Sequence, residues 1–97
     1  MKKTFNLKDS NHKPANLADS IKHEVKKYLA RERRKKLPEK VDFWDFDCRI
    51  GLNDSDAKNL HEKEINKNIE ELVSKEVDSF YLEILVKPGI RKKKKSS

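Results

Sequence analysis

The rhythm of apolar and polar residues divides the chain into five predicted elements. From Lys2 to Lys8 the pattern alternates, with Phe5 and Leu7 on one side and Thr4 and Asn6 on the other, as in a short strand with one buried face. The segment DSNHKPAN supplies turn residues, and Asn16 followed by Asp19 predicts an N-cap with an acidic first turn, so a helix should begin near Leu17. At about 100° per residue Leu17, Ile21, Val25, Tyr28 and Leu29 fall within about 120° of arc, and that stripe faces the core. Helix formers continue without apolar residues through ARERRKK until Leu37 and Pro38 end the run, leaving the last turns solvated.

Alternation returns in DFWDFDCRIG, residues 42–51. Trp44, Phe46, Cys48 and Ile50 share one side, which makes Trp44 the central core residue, while Phe43, Asp45, Asp47 and Arg49 share the other. Asn53 or Ser55 is expected to cap a second helix ending near Glu76, with Ala57, His61, Ile65, Ile69, Leu72 and Val73 on its inward face. His61 is then a packed core histidine. In SFYLEILVK, residues 79–87, Phe80, Leu82, Ile84 and Val86 oppose Tyr81, Glu83, Leu85 and Lys87 before Pro88-Gly89 breaks the strand. The order is βαβαβ, and both later strands have one apolar and one mixed face. The expected fold is α/β of the α+β type: a two-layer sandwich in which two helices cover one face of a three-stranded sheet. A solvated sheet face favours antiparallel or mixed pairing, but periodicity does not set the strand order.

Composition narrows the class. With 97 residues there is room for one core, assigned to residues 1–89, and residues 90–97 form a basic tail with nothing to bury, expected to be disordered. Charged residues make up 42% of the chain, yet the aromatic and β-branched residues are clustered, which favours a small folded core. A single cysteine, Cys48, makes no internal disulfide, no apolar run approaches the roughly 18 to 20 residues that span a bilayer, and MKKTFNLKDS lacks a signal peptide's apolar stretch. A cytoplasmic protein with no integral membrane segment is expected.

The formal charge of +7 is unevenly distributed. Residues 1–51 balance to +6, residues 52–78 to −4 and residues 79–97 to +5, a segregation that places a positive field on part of the surface. The predicted first helix concentrates it: Lys22, Lys26, Lys27, Arg31, Arg33, Arg34, Lys35 and Lys36 face only Glu24 and Glu32. Lys22, Lys26 and Arg33 form one row, with His23, Lys27 and Arg34 in the next. Clustered cations, with arginines able to grip phosphate bidentately, suit RNA or the ribosome; the same pattern suits a plain solvated face. Arg91, Lys92, Lys93, Lys94 and Lys95 add a second cationic segment.

On the open sheet face Phe43 and Tyr81, with Arg49 and Lys87, are candidate platforms for unpaired bases. Asp45, Asp47 and Glu83 on that face instead suggest Mg²⁺ and phosphodiester hydrolysis, or simply a solvated face paired with its own cations. A third class is an adaptor for an acidic protein. No glycine-rich phosphate loop is present, and His12, His23, His61 and Cys48 lack zinc-ligand spacing, so no metal site, cofactor or catalytic residue is assigned. Cys48, on the side of Trp44 and Phe46, is expected to be a buried thiol. Uncovered sheet edges are compatible with a monomer or a weak dimer.

The runs KHEVKKYLARERRKKLP, DFWDFDCRIG and FYLEILVKPG, and the chain as a whole, resemble a family of small uncharacterised bacterial proteins classed as a domain of unknown function. The resemblance implies a bacterial cytoplasmic setting and a basic helix that belongs with the DFWDFD strand as one unit. It brings no activity, cofactor or catalytic residue. The C-terminal lysine run is expected to be an addition particular to this chain.

Overall fold

Alternation in the two longest strands decides the architecture. The computed structural model describes residues 1–8 and 11–90. Its elements run β1 (Lys2–Asn6), α1 (Pro14–Arg33), β2 (Phe43–Gly51), β3 (Lys58–Leu60), a 3-10 turn (Glu62–Glu64), α2 (Ile65–Ser74) and β4 (Ser79–Gly89). Strands β2 and β4 pair antiparallel from Phe43 opposite Gly89 to Gly51 opposite Tyr81. β1 adds antiparallel to the other edge of β4, and β3 to the outer edge of β2, giving the order β1-β4-β2-β3.

Both helices cover the face that carries the even-numbered residues of β2 and β4. Phe46, Cys48 and Ile50 meet Phe80, Leu82 and Ile84 there, joined by Phe5 and Leu7, by Ala18, Ile21, Val25 and Leu29 of α1, and by Ile65 and Ile69 of α2. The Phe5 and Phe80 rings stack 5.5 Å apart. Each fully buried Leu, Ile or Phe contributes about 1.5–3 kcal/mol, and this one layer holds the sheet to the helices.

The two-layer α+β arrangement and the helices' shared face agree with the sequence pattern; several features differ. The sheet has four strands because Lys58–Leu60 pairs with β2, Cys48 lying opposite Leu60. With one apolar residue in three, that strand has no alternation to reveal it. Asn53 does not cap a helix: its Oδ1 accepts from the Asp56 backbone N–H at 2.9 Å in a turn. The residues that cap helices also close turns. α2 is therefore shorter than expected, Ala57 lies in the loop before β3, and His61 is exposed, its Nδ1 accepting from the Lys63 N–H in a capping box with Glu64.

α1 begins earlier, at Pro14, and its buried stripe is Ala18, Ile21, Val25, Leu29 and Glu32, with Leu17 and Tyr28 only partly covered. Its last turn is not wholly solvated, since Glu32 is 6% exposed and pairs with Lys35. Trp44 is not the core's centre. The helix ends before reaching the end of the β2–β4 ribbon, so Trp44 is half-buried and donates its indole N–H to the Lys35 carbonyl at 2.9 Å. Nor does Pro88 end β4. Gly89 accepts from the Asp42 N–H on the β2 side while Ile84 donates to the Met1 carbonyl on the other. By alternation the missing N–H of Pro88 faces the unpaired edge, where no ladder bond is lost.

Two backbone positions give direct tests. Gly51 lies under the returning loop, where an added Cβ would stand 2.7 Å from the Ala57 Cα. Gly51→Ala is expected to lower stability by about 1–3 kcal/mol in denaturant melts, and an unchanged midpoint would contradict this packing. α2 ends in a Schellman motif, with Glu76 N–H to the Val73 carbonyl and Val77 N–H to the Leu72 carbonyl. Glu76 takes φ 57°, a left-handed conformation costly for a residue with a Cβ. Glu76→Gly should stabilise by about 0.5–1 kcal/mol, read as a raised midpoint at constant slope.

Candidate functional site

The cations of α1 divide according to what the fold places beside them. The helix packs antiparallel to α2, so Lys22 in its first half meets Glu70, Nζ to Oε1 at 2.7 Å, and Arg33 at its end pairs with Glu62. The Arg33 guanidinium also lies over the Phe46 ring, 5.4 Å from its centroid. Lys35 is held by Glu32 at 2.8 Å. Partly exposed pairs of this kind contribute about 0–1 kcal/mol each, so their main effect is to cancel charge. Three of the residues singled out in the sequence are thereby neutralised.

The others remain. Lys26, Lys27, Arg34 and Lys36 are exposed, and their side chains have no hydrogen bond or ion pair among the described residues. Arg31 has no carboxylate partner among the described residues and rests on the Tyr28 ring at 5.7 Å. By helical phase Lys27 and Arg34 lie opposite the buried stripe, with Lys26 and Arg31 to either side. The cationic surface is thus the outer face of α1, and the row Lys22, Lys26, Arg33 forms its border with α2. Arg91, Lys92, Lys93, Lys94 and Lys95 lie outside the described residues.

Two cavities flank the Arg33–Glu62 pair, and both residues line each of them. One, of about 360 Å³, runs between α1 and α2 over Val25, Leu29 and Ile65, with Lys22 and Lys26 on its rim. The other, of about 530 Å³, lies beyond the helix end against Leu37, Phe43 and Trp44.

The open sheet face is a closed charge grid. β2 and β4 are adjacent, as the candidate metal site required, but Lys87 Nζ lies 2.6 Å from Asp47 and 3.9 Å from Asp45, and Glu83 accepts from Arg49 at 3.2 Å and from the Tyr81 hydroxyl at 2.9 Å. The bond to Asp47 raises the Lys87 pKa, which keeps the ammonium charged. No group of three metal-ligating side chains forms among the described residues. The base-stacking platform is occupied as well, since Tyr81 is buried and the Phe43 ring covers Gly89, leaving no room for a Cβ there.

The chain belongs to DUF6172, a family of unknown function whose model matches residues 1–95. The match reaches Lys95, so residues 91–95 lie within the matched span. No curated protein and no solved structure shows significant similarity to it. Among the described residues no helix is long and apolar enough to cross a membrane.

Cys48 is the buried thiol expected from its place in β2, 2% exposed. Burial, then the carboxylates of Glu62, Asp47 and Asp45, push its pKa up to about 11. At neutral pH it stays a thiol, which removes it as a nucleophile. Iodoacetamide labelling at pH 8 should be slower than in the denatured chain by on the order of a hundredfold or more. Comparable rates in the two states would show the thiol to be accessible.

Proposed function

We propose that this protein binds RNA, holding the phosphate backbone on the outer face of α1. The observation that supports this reading best is the division of charge: acids neutralise Lys22, Arg33 and Lys35, while Lys26, Lys27, Arg34 and Lys36 are exposed with no acidic partner among the described residues. A polyanion fits a surface of that kind because each phosphate engaged releases condensed counterions. The Arg91–Lys95 segment adds five further cations to the same chain. A bacterial cytoplasmic setting, rich in ribosomal RNA, and a monomeric or weakly dimeric state belong to the same proposal. The phosphodiesterase reading is weaker, because its carboxylates are engaged by Lys87 and Arg49.

Fluorescence anisotropy with a single-stranded RNA tests it. The four unpaired cations alone correspond to a log–log salt slope of roughly −3 on single strands, steeper with the tail present. The double variant Lys27→Glu, Arg34→Glu should weaken binding by about tenfold or more at low salt and flatten the slope. Asp45→Asn should leave affinity unchanged within about twofold, since that carboxylate lies on the opposite layer. Unaltered affinity in the double reversal would remove α1 as the binding surface.

A further inference from the structure

The cleft beyond the end of α1 has a composition that a phosphate-binding surface alone does not require. Its apolar walls are Trp44 and Leu37, and Phe43, Arg33, Glu62 and Asp42 complete its lining. Trp44 belongs by alternation to the core layer, yet β2 carries it past the helix end, where its ring stays half-buried. The indole N–H is used by the Lys35 carbonyl, which ties the ring to the end of α1 where it lines the cleft. Leu37 beside it is 37% exposed. Arg34 and Lys36, neither with a carboxylate partner among the described residues, precede and follow the residue whose carbonyl holds the indole, so both leave the chain next to this wall. An aromatic face next to unpaired cations matches the chemistry of a nucleotide, whose base is apolar on its faces and whose phosphates are anionic. An apolar peptide would fill the cleft without using those charges. A duplex keeps its bases stacked on one another and offers none to the ring.

We propose that this cleft takes one unpaired base of single-stranded RNA, stacked on Trp44, with the adjoining phosphates on Arg34 and Lys36. The inference rests on the RNA reading above and narrows its ligand to unpaired strands. Arg33, held by Glu62 and stacked on Phe46, lines the cleft, and the outer face of α1 carries the strand onward.

Trp44 is the only tryptophan, so its emission reports on the cleft directly in the unmodified protein. An oligouridylate of about eight nucleotides is compared with an abasic ribose-phosphate strand of equal length and charge, following anisotropy and Trp44 emission together. The base-containing strand should bind roughly fivefold or more tightly and change the emission at saturation, while the abasic strand binds with little change. Equal affinities with unchanged emission would overturn the base cleft and leave phosphate binding intact. Failure of both strands to bind would overturn the RNA reading and this inference together. Trp44→Leu should abolish the preference for bases while the abasic affinity stays within about twofold, a comparison that separates lost stacking from lost folding.

Discussion

The fold depends on one long antiparallel ribbon, β2 against β4, that can bury only one of its faces. Their nine paired positions set Cys48 opposite Ile84 and Ile50 opposite Leu82, Phe46 and Phe80 belong to the same layer, and both helices cover it. A chain this rich in charge has no second set of apolar residues with which to cover the other face. That face must then satisfy its own ionic groups, and it does so across the ribbon, Arg49 to Glu83 and Lys87 to Asp47. What looked in the sequence like a set of carboxylates available for a metal is the local solution to a one-sided sheet.

The same constraint sorts the basic residues. α1 must turn Ala18, Ile21, Val25 and Leu29 to the sheet and lie beside α2, whose Glu70, with Glu62 just before it, reaches across to Lys22 and Arg33. Only the side of the helix turned away from both neighbours keeps its charge. Lys27 and Arg34 are cationic there for a geometric reason as much as a compositional one, while Lys26 lies at the border with α2 and Lys36 beyond the helix end. The acidic middle third of the chain removes some of the positive surface and leaves the remainder sharply placed.

At the far end of the ribbon the helix stops before the strands do. Trp44 is left at the margin, tied to the Lys35 carbonyl, and the apolar cleft next to it results from the mismatch in length between helix and sheet. Phosphate-binding cations and an aromatic wall therefore meet at one place, although they arise from different parts of the sequence.

Period alone determined a good deal here. The parity of Phe5 and Leu7, of Phe46, Cys48 and Ile50, and of Phe80, Leu82 and Ile84 was readable because alternation is a local property of an extended chain; so was the heart of the α1 stripe, Ile21, Val25 and Leu29. The concentration of cations between Lys22 and Lys36 was equally plain. The tertiary structure decided what depends on partners distant in sequence. Lys58–Leu60 is a strand only because β2 has a free edge, and Asn53 closes a turn because the chain must return to that edge. Pro88 is tolerated because its side of β4 is unpaired, and Trp44 is marginal because α1 ends where it does. Which lysines and arginines remain charged toward solvent depends on the antiparallel pairing of α1 with α2, since neutralisation is a matter of distance in space, which spacing along the chain does not contain.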